Sequence, residues 1–243
     1  MSKFFLSEAM LSEAFWPRLE ASSRVLPSVS LKADRILEAS RVIHQRFPQE
    51  TAGSISKSAI IKLYLLARYF RPRVVAEVGT FIGRSTLALG EGGGAGLSAL
   101  HTCDFSFDAF GVPDGFIADF KSAEKIHYHA KTASTEMFRA MLNQHRGKVD
   151  CFFLDGRLSG EDIEYIKELR HAESVFIIDD FEGVEKGVSN ALLLRQTFQD
   201  LVLIRPEVEC DSHGGPKVTN TALMFGARLI SLSRQQELPL DMC

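Results

Sequence analysis

Val74 to Gly90 reads VVAEVGTFIGRSTLALG, an apolar run that passes through two glycines into a helical pattern. A strand that ends in glycines just before a helix suits a ligand that approaches the backbone closely and meets the helix N-terminus. The dinucleotide fingerprint is GxGxxG. Here Gly79 and Gly83 stand as GxxxG, with Glu77 two residues before the first glycine, so the spacing argues against NAD.

Further along, short and nearly continuous apolar runs alternate with helical segments. The runs are VVAEVG, ALHTCDF, KIHYHAK, VDCFFLDG, SVFIIDDF, LVLIRP and TALMFGA. Such runs are the mark of a parallel sheet covered on both faces. Between the fourth and fifth, Ser159 with Asp162 three residues later forms a capping-box signature for a helix. VEKGVSNALLLRQTFQ predicts a second helix before the sixth run. Only the polar, glycine-containing EVECDSHGGPKVTN separates the last two, which implies an antiparallel closing hairpin.

Before Val74, the residues Ala33, Ile36, Leu37, Ser40, Ile43 and Phe47 follow a helical rhythm, and Ser58 to Phe70 predicts another helix that stops at Pro72. The division is a helical extension over 1–50 and one α/β domain over 51–243. LSEA occurs at Leu6 to Ala9 and again at Leu11 to Ala14, too little for a repeat architecture. We read Phe4 to Leu19 as an amphipathic arm that covers the active site or packs on a second subunit of a homodimer.

The chain has 243 residues, 45% hydrophobic and 24% charged, with a formal net charge of -3. That charge argues against a broad nucleic-acid footprint and makes a small molecule the expected partner. No apolar run approaches the roughly 18 residues of a membrane span, and Glu8 and Glu13 interrupt the start where a secretory signal would be apolar. Cys103, Cys151, Cys210 and Cys243 form no CxxC pair. Together these features lead us to expect a cytoplasmic protein.

Glu77, Gly79, Gly83 and Ser85, as ExGxxxGxS, resemble motif I of the class I S-adenosylmethionine (AdoMet) dependent methyltransferases. The likeness covers roughly Ser54 to Ala227. It implies a Rossmann-like, seven-stranded, mostly parallel sheet with helices on both faces and an antiparallel last strand. It also implies that Glu77 faces the ammonium of AdoMet and that amides among Thr80, Phe81 and Gly83, with Ser85, hold its carboxylate. Asp104, about 25 residues past Gly79, would accept both ribose hydroxyls, as the acid roughly 20 residues on does in dinucleotide folds. By position alone, Thr132, Ala133 and Ser134 would approach the adenine.

Asp155 ends the fourth run, and Asp179 and Asp180 end the fifth. Carboxylates converging at strand ends repel one another unless protonated or neutralised by a cation. Oxygen-only ligands select a hard ion. The trio resembles the metal site of the catechol O-methyltransferase group, which implies Mg²⁺ or another divalent cation and a hydroxyl acceptor. Arg157 and Leu158 stand where that group carries a lysine, and a related group a histidine. This departure puts the base in doubt and motivates a second reading, a catalytically silent AdoMet-binding partner or regulatory subunit.

His213, in the glycine-rich CDSHGGPK, is either the general base or an exposed loop residue. Arg157 either binds an anionic substrate or lies across the surface. His127 and His129 share a strand face and read as structural rather than metal-binding. The phenylalanine-rich segment between the second and third runs is either a lid or core packing.

Overall fold

The computed structural model describes residues 27–46, 54–105, 118, 120–181, 184–204, 208–210, 216–218 and 222–226. Phe4 to Leu19 and His213 lie outside these residues, as does most of the phenylalanine-rich segment.

The chain begins with helices α1 (Pro27–Arg46) and α2 (Lys57–Phe70), followed by β1 (Val74–Val78), α3 (Arg84–Gly93) and β2 (Ala99–Asp104). Next come β3 (Ile126–Ala130), α4 (Ser134–His145), β4 (Val149–Leu154), α5 (Gly160–Leu169), β5 (Arg170–Ile178) and α6 (Gly187–Thr197). The last elements are β6 (Leu201–Ile204), β7 (Val208–Cys210), β8 (Pro216–Val218) and β9 (Ala222–Gly226).

Local chemistry sets the helix ends. Ser56 caps α2 by accepting from the Ala59 amide at 3.3 Å, and Arg71 closes it in the left-handed region, its amide donating to Ala67 O. Ser159 and Asp162 make the reciprocal bonds of the capping box that starts α5.

Five parallel strands, ordered β3-β2-β1-β4-β5, form the frame, and β9 and then β6 continue the same sheet. β9 runs antiparallel to both β5 and β6. β7 and β8, in the segment expected to be only a polar loop, pair as a separate antiparallel ribbon. The order reverses between β1 and β4. Ligands of open α/β sheets bind at the carboxyl ends of the strands beside such a reversal.

β1, β2, β4 and the second half of β5 are buried on both faces, and alternate residues sort into two cores. Val75, Cys151, Phe153, Val175 and Ile177 pack with Leu63 and Leu66 of α2 and Leu87 of α3. Val74, Ala76, Val78, Phe152, Leu154, Phe176 and Ile178 pack with Phe138 of α4, Ile166 of α5 and Leu194 of α6. Phe152 and Phe176, register partners across β4 and β5, stack at 4.9 Å between centroids. Val29, Ala33 and Ile36 of α1 belong to the first core, so this part of the 1–50 extension shares the domain's interior. Among the described residues, no helix is long and apolar enough to cross a membrane.

Candidate active site

Backbone bonds carry the parallel ladder past the ends of β1, β4 and β5. The Asp155 amide donates to Val78 O at 2.9 Å, and the Asp179 amide donates to Leu154 O at 3.0 Å. Glu77, Asp155 and Asp179 are thereby carried to one edge of the sheet. Three non-glycine residues in the left-handed region, Phe81, Lys131 and Asp180, sit just past β1, β3 and β5. Clustered backbone strain of this kind marks functional loops.

Gly79 has φ 99° and Gly83 has φ 81°, conformations that L side chains adopt at a cost. A Cβ on Gly79 would lie 3.2 Å from Asp155 O, so the turn is also pressed against the end of β4. The turn's own amides are largely used within the fold. Gly79 and Thr80 donate to Cys103 O, Gly83 donates to Thr80 O, and Phe81 donates to Asp104 Oδ2 at 2.8 Å. A carboxylate ligand expected on the Thr80, Phe81 and Gly83 amides would have to displace these bonds. The first turn of α3, whose amides have no partner within the helix, is the better donor.

Glu77 is fully buried beneath this turn. Its Oε2 accepts from Thr86 Oγ at 2.5 Å, while Oε1 makes no hydrogen bond. Burial pushes its pKa up to about 7, with Asp104 adding to the rise, while the neighbouring Ser85, Thr86 and Thr102 hydroxyls pull it down. Thr102 also shares a 2.5 Å hydrogen bond with Thr80.

Asp104 ends β2, and its bond to the Phe81 amide places its carboxyl beside the glycine turn. The Thr132 amide donates to Asp104 O at 3.3 Å, and the Thr132 hydroxyl to Ala130 O at 2.8 Å. The Ala133 amide donates to Glu136 at the start of α4, where Ser134 is the first helical residue. The loop after β3 is therefore fastened to the end of β2.

Asp155, Asp179 and Asp180 converge, with one carboxylate oxygen of each within 4.8 Å of the others. Among the described residues this is the only such group of histidine, cysteine or acidic side chains. Burial, and then the charge of Asp179, pushes the Asp155 pKa up to about 8 against the pull of Lys186. Lys186 donates to Asp180 Oδ2 at 2.8 Å and reaches Asp155 Oδ1 at 3.5 Å. Oxygen-only donors suit a hard dication. As the chain is folded, however, the Lys186 ammonium already reaches two of the three acids.

Lys186 and Asn190 were missed by sequence reasoning. Buried Asn190 receives a hydrogen bond from the Leu158 amide at 3.0 Å and donates to Gly156 O at 2.8 Å, which ties the loop after β4 to α6. A lone asparagine among the apolar residues of VSNALLL was the available signal for it; Lys186 had none. Arg157 donates to Glu185 O at 3.0 Å, so it too spans the two loops.

The histidines of β3 do have neighbours that the sequence did not disclose. His101 meets His129 at 3.1 Å through Nδ1 and His145 at 3.0 Å through Nε2, and it stacks on His127 at 4.6 Å. These rings satisfy one another in a chain.

No family model and no curated protein matches the sequence. Solved structures do. An S-adenosylhomocysteine-bound methyltransferase of Podospora anserina, PaMTH1, superposes with a TM-score of 0.59 at 16% identity, over 85% of this chain and 95% of that one. The O-methyltransferase TomG of Streptomyces achromogenes, in complex with S-adenosylmethionine, gives 0.57 at 16% identity over 80% and 89%. An O-methyltransferase of Bacillus cereus, in complex with S-adenosylhomocysteine, gives 0.56 at 18% identity over 79% and 89%. The chain has the class I methyltransferase fold. In a methyltransferase fold ordered β3-β2-β1-β4-β5, the Glu77 turn and the Asp155 cluster lie on either side of the strand-order reversal.

Proposed function

We propose that the chain transfers the methyl group of AdoMet to a hydroxyl oxygen of a small molecule. The observation that carries this reading is the pairing of Glu77, buried with Oε1 unbonded, with Asp104, held by the Phe81 amide, at adjoining ends of β1 and β2. A buried acceptor without a partner is costly. The ammonium of AdoMet would satisfy it, and the Asp104 carboxylate would take the ribose hydroxyls. Ser85 and the first amides of α3 would hold the methionine carboxylate, and Thr132, Ala133 and Ser134 would border the adenine.

When bound, AdoMet supplies an electrophilic methyl on a sulfonium. The acceptor oxygen would take that methyl as the C–S bond broke, the bonding pair staying on sulfur, and the hydroxyl would give up its proton. Asp155, at the end of β4, would orient the acceptor hydroxyl, and His213 would take the proton. Asp155, Asp179 and Asp180 would hold Mg²⁺ or another divalent cation only with Lys186 withdrawn.

Titration calorimetry tests the cofactor: heat with AdoMet and its demethylated product, and none with NAD, is expected. Heat with NAD alone would overturn the reading. The alternative, an AdoMet-binding subunit without activity, draws on Arg157, which stands in the expected place of a base but is bonded to Glu185 O. Methyl transfer to any of a panel of phenols, sugars and amines decides between them.

A further inference from the structure

We propose that the carboxylate cluster carries its own cation: the Lys186 ammonium is its resident counter-charge and excludes a divalent ion from Asp155 and Asp180. Two independent features lead there. One is the side-chain geometry, with Nζ 2.8 Å from Asp180 and 3.5 Å from Asp155. The other lies in the backbone. A Cβ on Gly187 would lie 2.4 Å from Asp179 O and 2.7 Å from Asp180 O. Only a glycine permits that approach, and it anchors residue 186 beside the acidic pair whatever rotamer its side chain adopts.

The electrostatics follow from this placement. Three carboxyl groups with oxygens inside 4.8 Å need a retained proton, positive charge, or both. A tethered ammonium supplies the charge with little of the translational cost that a free ion pays. Asp155 is half-buried and Asp179 buried, so the pair is less screened than one in open water. A dication bridging Asp155 and Asp180 would need the ground the ammonium holds, and the two like charges would repel at that distance. The α6 start and the β5 end therefore form a unit in which Gly187 sets the distance and Lys186 sets the charge. The cluster can then act on an acceptor oxygen through an N–H donor instead of a metal.

This inference deepens the proposed site and rests on its carboxylates acting as one cation-binding cluster. Its test does not depend on the cofactor or on methyl transfer: failure of AdoMet binding would appear as absent heat, and failure of transfer as no methylated product from the acceptor panel. The full chain is titrated with Mn²⁺ at neutral pH, and free Mn²⁺ is read by its electron paramagnetic resonance signal. Wild type and Lys186→Arg should bind no more tightly than exposed carboxylates, with dissociation constants on the order of 1 mM. Lys186→Met should bind at least about tenfold more tightly, and adding Asp155→Asn should abolish the gain. Circular dichroism checks that each variant is folded. Tight Mn²⁺ binding by wild type that Lys186→Met leaves unchanged would overturn the proposal. Weak binding by both would also overturn it, by showing that the carboxylates are not a cation site at all.

Discussion

Gly187 and Asp179 lie so close that a single carbon added to the glycine would stand 2.4 Å from the aspartate's carbonyl oxygen. That oxygen belongs to the backbone and cannot swing aside as a flexible side chain would. Gly187→Ala must therefore move the start of α6 away from β5. The expected cost is about 2 to 3 kcal/mol, from overpacking against a rigid neighbour, read as a lower urea midpoint with unchanged slope. A midpoint equal to wild type would mean that the two segments are not in contact in solution.

Asp104 gives a sharper test of the cofactor site. Asp104→Asn keeps an acceptor for the Phe81 amide, so the turn should stand and stability should hold. A neutral amide in place of a carboxylate loses charge-assisted bonds to the ribose, each worth about 1.5 to 3 kcal/mol. AdoMet affinity by calorimetry should fall by roughly ten- to a hundredfold. Unchanged affinity would remove Asp104 from the cofactor site.

Glu77 makes stability depend on pH in a direction opposite to that of most carboxylates. Its pKa is raised from 4.5 to about 7 by burial, so the folded state holds its proton where the unfolded chain has released it. Stability from this group is full below about 4.5 and is lost as pH rises to about 7. The loss amounts to roughly 3 kcal/mol. Glu77→Gln has nothing to ionise and should gain thermal stability relative to wild type at pH 8, but little at pH 4.5. An equal difference at both pH values would show that Glu77 does not titrate with folding. The same variant should bind AdoMet more weakly, because the ammonium loses its carboxylate.

What could be read in the sequence was what local pattern encodes. The alternation of Val74, Ala76 and Val78 against Val75 and Glu77 is a property of five consecutive residues. Motif I and the acids that end β2, β4 and β5 also lie next to their strands, so finding the strands located Glu77, Gly79, Asp104, Asp155, Asp179 and Asp180. Lys186 and Asn190 come from α6, and only packing against the ends of β4 and β5 brings them into the cluster. No spacing rule relates Asn190 to Gly156, its partner 34 residues earlier. β7 and β8 span three residues each, too short for periodicity to register. The amides of the glycine turn were assigned to a ligand because the strand pairing that places Cys103 O beside Gly79 and Thr80 joins residues far apart in sequence.

Asn190 also gives a prediction on the loop after β4. Its side chain uses both ends, accepting from the Leu158 amide and donating to Gly156 O. Asn190→Asp keeps the shape and the acceptor but turns the donor into a second acceptor facing a carbonyl. In a site only 1% exposed, the cost should be about 2 to 3 kcal/mol or more. The loop itself should also loosen, seen as faster amide hydrogen exchange at Leu158. A stable variant with unchanged exchange would show that the loop does not depend on α6.

The histidine chain supplies the last prediction, and its slope opposes that of Glu77. His101 is buried, with its two ring nitrogens meeting His129 and His145. It can take part in both bonds while neutral, donating through one nitrogen and accepting through the other. Burial, and then the charges of His127, His145 and His129, lowers its pKa from 6.5 to about 3. His129 and His145 are lowered for the same reasons, with Lys148 also facing His145. The unfolded chain gains these protons below about 6.5 while the folded protein refuses them, so the contribution is present above 6.5 and is lost as pH falls toward 3. His101→Gln keeps a donor and an acceptor but cannot take up a proton. Its melting temperature should therefore fall less than that of wild type between pH 7.5 and pH 5.5. Glu77 titrates through much of this range in the other direction, so the His101 effect is read as the difference between variant and wild type at each pH. Parallel melting curves for the two proteins across the range would show that the chain takes up its protons without unfolding.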